Sequence, residues 1–169
     1  GRPKSALFRT ADIVGLDTLA HVSQNCYDVL VDDEGRDTFK PPAFLDEMLK
    51  RKWLGQKTKG GFYKKVGKEI QALDLKTFEY KTKEKVRADS LGKARKIDSA
   101  GDKIKMVINS DDKFGKLAWE STAQTLAYAA RRLGEIADDV VNIDNGMKWG
   151  FNWDLGPFET WDAIGLAES

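Results

Sequence analysis

The sequence predicts a mainly α-helical protein of two related units, with a small β-hairpin after the first. Three observations predict it. Apolar residues recur at three- and four-residue steps through most of the chain, as one face of an amphipathic helix requires. That period breaks over residues 62–80, where Phe62-Tyr63, Val66-Gly67, Ile70, Leu73 and Phe78 to Tyr80 suggest short strands and a turn. The third is a repeat: Phe8, Thr10, Asp12, Gly15 and Leu16 recur 150 residues later as Phe158, Thr160, Asp162, Gly165 and Leu166.

The elements follow in chain order. The first motif runs from Ala6 to Leu16. Asp17 is placed to cap a helix starting at Thr18, its carboxylate accepting an otherwise unpaired backbone N–H. Leu19, Val22, Cys26, Val29 and Leu30 then predict one buried stripe, closed by the polar Asp32-Asp33-Glu34-Gly35. After Pro41-Pro42, the residues Phe44, Leu45, Met48 and Leu49 mark a second helix. Lys50-Arg51-Lys52 occupies its last turn, where positive charge favours the carbonyl end. Between Lys81 and Lys105 there are nine basic and four acidic residues with few large apolar ones. This composition predicts a solvated linker or a marginal helix around Ser90 to Lys96.

Ser110-Asp111-Asp112 opens a long helix whose apolar face includes Phe114, Leu117, Leu126, Ala129, Leu133 and Ile136. A shorter helix is expected from Val140 to Trp149, stopped by Gly150. Pro157 stands at a first helical position and Gly165 closes that helix. The repeated form, Phe-x-Thr-x-Asp-x-[Val/Ile]-Gly-Leu, reads as a short helix with an inward Phe and a left-handed glycine stop. Its two contexts differ, and both ends of the chain are expected to be cuts through a longer protein. The expected units are residues 1–80, lacking a leading helix; a basic linker, 81–109; and residues 110–169, cut after the motif.

Composition excludes several classes. Hydrophobic residues make up 41% and charged residues 33%, an ordinary balance for a globular chain. No apolar run approaches the roughly 20 residues of a membrane span, and no signal core follows Gly1-Arg2-Pro3-Lys4. A lone cysteine, Cys26, excludes an internal disulfide and CxxC-type zinc sites, and fits a cytoplasmic setting. A net charge of +1 gives no strong field for nucleic acid or membrane.

A family resemblance rests on the paired motifs. Ile143-Asp144, Met147-Lys148-Trp149-Gly150, Leu155-Gly156-Pro157-Phe158-Glu159 and Asp162-Ala163-Ile164-Gly165-Leu166 together resemble the C-terminal signature of 3-hydroxyacyl-CoA dehydrogenases. Phe8 to Thr18 looks like a first copy, and Lys59-Gly60-Gly61-Phe62-Tyr63 resembles the Gly-rich close of the same domain. The likeness is greatest to the bacterial multifunctional fatty-acid oxidation type, in which tandem C-terminal domains are joined to an enoyl-CoA hydratase. It implies a fold like the 6-phosphogluconate dehydrogenase C-terminal domain and a role beside an acyl-CoA substrate. It also implies oxidation by NAD bound on an N-terminal Rossmann domain that carries the family's catalytic His–Glu pair. The fragment alone is then expected to be inactive and to hold no cofactor or metal.

The first copy has Ala6-Leu7 where the second has Gly156-Pro157, and Arg9 where the second has Glu159. The family's substrate-holding Asn motif is absent from Gly115 to Ala118, which implies a second copy without catalytic duty. Pro3, Lys4, Ser5 and Phe8 are the candidate substrate contacts, bordering the cleft. No catalytic residue is assigned. The single histidine, His21, is read as a packed or surface residue. Asp12 and Asp162, sharing one repeat position, are read as structural hydrogen-bond acceptors. Trp149, Phe151, Trp153, Phe158 and Trp161 are read as packing aromatics. The basic run could touch CoA phosphates, but a solvated connector is the reading adopted. In single-copy relatives this domain mediates dimerisation, so a homodimer contact or its tandem mimic is expected. The alternative is a free-standing helical interaction module without catalytic role. A nucleic-acid surface over Lys81 to Lys105 is disfavoured by the near-zero net charge.

Overall fold

The computed structural model describes residues 2, 6–83, 86–167 and 169. The chain divides into two compact units. One is residues 5–85, and the other is residues 86–169 with the first four residues. Residues 5–85 form α1 (Leu7–Val14), α2 (Leu16–Val29), α3 (Ala43–Lys50) and strands β1 (Tyr63–Val66), β2 (Glu69–Leu73) and β3 (Tyr80–Thr82). Residues 86–169 form α4 (Asp89–Ala94), α5 (Ala100–Ile108), α6 (Lys113–Arg131), α7 (Val140–Phe151) and α8 (Pro157–Ile164).

A single glycine joins α1 to α2. Gly15 holds φ +106°, a conformation that costs an L side chain dearly, and this permits the sharp turn between the helices. Asp17 therefore falls inside α2 rather than at its cap. Its carboxylate instead pairs with Lys57 Nζ at 2.6 Å. The α2 stripe also differs from expectation. Leu16 is fully buried, but Val22 and Val29 are 51% and 67% exposed. The core takes Leu16 and Ala20 from this helix, and the outer stripe lies outside it.

That core is Ala11, Leu16, Leu45, Met48 and Phe62, with Phe44, Trp53, Leu73 and Phe78 packed around it. Full burial of Leu16 and Met48 stabilises the unit by roughly 1.5–3 kcal/mol each. The hairpin gains a third strand: β1–β2–β3 is an antiparallel meander with Tyr63 opposite Ala72 and Leu73 opposite Tyr80. The inward side chains of the sheet, Leu73 and the Tyr80 ring, lie toward the helices; Tyr80 meets Trp53 at 5.4 Å between ring centroids.

Residues 86–109, expected as a solvated linker or a marginal helix around Ser90 to Lys96, carry α4, close to that helix, and α5. Ser99 caps α5 by accepting from Asp102 N–H, and α5 packs on both α6 and α8. The high charge of this stretch lies on the outer faces, while its few apolar residues suffice for an amphipathic helix. The long helix is shorter than its periodicity suggests. It ends at Arg131, and a tight turn with Gly134 at φ +82° takes over before α7. Asp112 caps α6 through Phe114 and Gly115 N–H, both at 3.0 Å, and Asp139 caps α7 through Asn142 N–H at 2.8 Å. The α7 helix continues past Gly150 to Phe151, where Asn152 supplies the left-handed stop. Trp149 and Phe151, read as packing aromatics, are 80% and 65% exposed.

The repeat is realised in three dimensions. Each of α1 and α8 has eight residues, offset by 150, and each ends on a positive-φ glycine, Gly15 or Gly165.

Candidate functional site

An open apolar groove of about 280 Å³ runs along α1 and faces α3. Phe8, Val14, Leu19, Phe44 and Phe62 give it its apolar character. Phe62 forms the floor: its ring lies 4.5 Å from Phe8 and 6.1 Å from Phe44 between centroids. Phe62 is 6% exposed, whereas Phe8 remains 42% exposed at the rim.

The floor is held by a buried carboxylate. Asp12, 3% exposed, accepts the N–H of Phe62 through Oδ1 and that of Tyr63 through Oδ2, each at 2.8 Å. Burial pushes the Asp12 carboxyl above the usual aspartate value, and the two N–H donors pull the other way without cancelling it. Gly61 makes the approach possible, because a Cβ there would collide with the Asp12 carboxylate. From the opposite side, Tyr80 Oη donates to the Gly61 carbonyl at 2.7 Å. The Gly55–Gly60 turn is closed by reciprocal backbone bonds of 2.8 and 3.1 Å. The Lys59-Gly60-Gly61-Phe62-Tyr63 segment is thus gripped along its length, so Phe62 is presented in one position.

The second unit contains a parallel device. Asp144 of α7, 5% exposed, accepts from Phe158 N–H at 2.8 Å and Glu159 N–H at 2.9 Å. Gly156 lets the chain pass against it, since a Cβ there would meet Asp144. Glu159 reaches back to Gly156 N–H at 3.0 Å and pairs with Lys148 Nζ at 2.6 Å, which holds its carboxyl below the usual range. Residue patterning alone did not single out Asp144; its signal is a carboxylate followed by a glycine that precedes a helix start.

Among the residues expected to border substrate, Phe8 lies on the groove, while Pro3, Lys4 and Ser5 lie outside the described residues. Asp12 is in the structural position expected of it, but Asp162 is exposed. His21 is also exposed, on α2. Among the described residues, no group of three or more His, Cys, Asp or Glu side chains could hold a metal ion. The sheet of the described residues is antiparallel, so it offers no strand–glycine turn–helix unit for a dinucleotide. No helix of the described residues is long and apolar enough to cross a membrane. A larger cavity, about 790 Å³, opens between α4, α5 and the start of α6. It is lined by Asp89, Asp102 and Asp112 with Lys93 and Lys105, and has no apolar floor comparable to Phe62.

These features define a class: a mainly helical protein with a repeated short helix, in which buried carboxylates staple glycine-bearing turns. Residues 1–65 match the family described as "3-hydroxyacyl-CoA dehydrogenase, C-terminal domain". The chain is 52% identical, over all 169 residues, to a "Probable 3-hydroxyacyl-CoA dehydrogenase" of Bacillus subtilis, covering 21% of that protein. It is 27% identical over 164 residues, 94% of the chain, to a "Putative fatty acid oxidation complex trifunctional enzyme" of Rickettsia felis, again covering 21% of it. A "Probable 3-hydroxyacyl-CoA dehydrogenase" of Deinococcus radiodurans is 42% identical over 69 residues, 41% of the chain and 19% of that protein. No solved structure matches. Residues 1–65 thus match the family of 3-hydroxyacyl-CoA dehydrogenase C-terminal domains, and the chain spans about a fifth of the length of these relatives.

Proposed function

We propose that this chain is the substrate-side helical portion of an NAD-dependent 3-hydroxyacyl-CoA dehydrogenase of fatty-acid β-oxidation. The observation that carries the reading is the Phe62-floored groove, which lies on the unit that contains most of the family match. An acyl chain is apolar and conformationally free, and a preformed apolar wall lowers the cost of ordering it. In this reading Phe8 and Phe62 form one wall of the acyl cleft. The opposing wall, the NAD site and the acid–base pair come from a Rossmann domain elsewhere in the parent protein. That the chain spans only 21% of its Bacillus subtilis relative supports that division of labour.

The wider assembly is part of the same proposal. The parent carries an enoyl-CoA hydratase, in keeping with the multifunctional relatives, and works in the cytoplasm. The two helical units stand in for the two copies of a dimeric relative. Residues 1–80 and 110–169 act as the first and second copies, with α4 and α5 inserted between them.

The test is complementation. This chain, mixed with a separately produced nucleotide-binding half, should consume NADH with acetoacetyl-CoA, whereas either half alone should not. Oxidation or reduction of substrate by this chain alone would sink the assignment. So would an inactive mixture of two halves that are folded by circular dichroism and associate in solution.

A further inference from the structure

A second surface of residues 5–85 has the opposite character from the apolar groove. A cleft of about 480 Å³ lies over the outer face of the sheet. It is lined by Arg9 of α1, Lys59 of the glycine turn, Lys65 of β1 and Lys83 just past β3; Lys64 borders it, but its side chain belongs to the other face, with Nζ 5.4 Å from the Tyr80 ring centroid. No carboxylate of the described residues lines it. Among the described residues none of Arg9, Lys59, Lys65 and Lys83 has an ion pair, although Lys57 and Lys81 nearby are tied to Asp17 and Asp74.

Strand register explains the segregation. Tyr63, Lys65 and Ile70 share one face, and Lys83 continues it opposite Ile70, with its Nζ 4.0 Å from the Tyr63 ring centroid. The Glu69 carboxylate instead accepts from the Thr82 hydroxyl, at 3.3 Å, on the other face. Like charges gathered at one cleft repel one another, and an anion bound there relieves that cost. Lys59 adds a further sign of purpose: it holds φ +58°, where a glycine would be less strained, and so keeps a cation at the rim.

We propose that this cleft is a phosphate-binding subsite for the 3′-phosphorylated nucleotide end of coenzyme A, an inference that rests on the acyl-CoA reading above. The ligand brings a 3′-phosphate monoester of roughly −1.5 to −2 charge beside a diphosphate, with a base that can lie on the Tyr63 and Ile70 surface. The architecture links the two subsites. The consecutive amides gripped by Asp12 belong to Phe62, the floor of the apolar groove, and Tyr63, a wall of the basic cleft. Likewise α1 gives Phe8 to the groove and Arg9 to the cleft. One rigid segment therefore serves both an apolar and an anionic end of a ligand. A nucleic acid fits less well, because the chain as a whole carries only +1 and the uncompensated charge is confined to one cleft.

The experiment is calorimetric titration of the whole chain with CoA, dephospho-CoA and inorganic phosphate at low and high salt. It is repeated on the double variant Lys65→Ser/Lys83→Ser, whose side chains are exposed and whose fold is checked by circular dichroism. CoA should bind in a salt-sensitive manner and more tightly than dephospho-CoA or phosphate, and the double variant should weaken it about tenfold. Absence of CoA binding at low salt, equal affinity for dephospho-CoA, or an unchanged double variant overturns the proposal. So does preferential retention of single-stranded DNA over CoA. Because binding is read directly, a failed complementation would remove the enzymatic reading without deciding this result. In an active mixture, the double variant should raise KM for acetoacetyl-CoA and leave KM for the acetoacetyl-pantetheine thioester unchanged; an equal rise for both would place the lysines in a structural role.

Discussion

Asp12 and Asp162 occupy the same place in a repeated motif and meet opposite fates. Asp12 is buried and grips two amides brought from fifty residues downstream, while Asp162 stands exposed on α8. The carboxylate that staples the second motif is Asp144, brought from the helix before it. Thr160 follows the same logic: it is 8% exposed, whereas Thr10 is exposed. A short helix of eight residues cannot define a core by itself. Each copy is completed by whichever neighbouring segment packs on it, downstream in the first and upstream in the second. Sequence identity between repeats therefore marks a common helix, not a common environment.

The comparison predicts a graded series of effects. Asp12→Ala leaves two amides at the core edge without an acceptor and should destabilise residues 5–85 by roughly 3 kcal/mol. Urea unfolding followed by Trp53, in a variant lacking the other four tryptophans, reads this directly, and faster hydrogen exchange at Phe62 and Tyr63 should accompany it. Unchanged exchange there would mean that the staple does not hold the groove floor. Asp144→Ala exposes two partly buried amides that water can reach, so about 1–2 kcal/mol is expected, confined to the second unit. Exchange rates at Phe158 and Glu159 locate the loss.

Gly146→Ala supplies a contrast of sign. No atom outside its own helix lies within 4 Å of the added Cβ, and α7 is helical there, so a gain of about 0.5–1 kcal/mol is expected in thermal melts. Gly61→Ala should instead unfold the staple, because its Cβ has nowhere to go except into Asp12. Asp162→Ala, the repeat partner of the most damaging substitution, should change stability by less than about 0.5 kcal/mol. A loss as large as that of Asp12→Ala would erase the distinction between the two copies.

Titration sharpens the same point. The Asp74 carboxyl, bonded by Lys81 and by the amides of Lys76 and Thr77, is lowered to about 2, whereas burial raises Asp12 above its ordinary 3.8. The linkage signs are opposite. Asp74 adds stability that is present above the unfolded-state value and lost as pH falls toward about 2. Asp12 is most favourable below the unfolded-state value, and its contribution declines as pH rises through its elevated one. Carboxyl carbon shifts followed from neutral to acid pH should show Asp12 protonating before Asp74; the reverse order would mean that the two N–H donors outweigh burial.

Much of the helical frame was legible in the chain. Pro157 and Gly165 mark the limits of α8, Asp112 marks the start of α6, and the repeat alone announces that α1 and α8 are one element used twice. The break in period at Phe62 located the sheet. These features rest on local geometry: caps, fixed dihedrals and apolar spacing act within a few residues and therefore leave a local record. Over residues 86–109 charge left a solvated linker and a marginal helix around Ser90 to Lys96 both open, because a solvated face and a solvated linker have the same composition; α4 realises the helix, and α5, packed on α6 and α8, had no signal of its own.

What tertiary structure alone decided is which apolar face finds a partner and which carboxylate is buried. Val22 and Val29 have the spacing of core residues and stay exposed, while Asp12 has the charge of a surface residue and is enclosed. Burial depends on segments far apart in sequence meeting across a core. The free energy of placing a carboxylate there turns on two donors from Phe62 and Tyr63, which no pattern around residue 12 could specify.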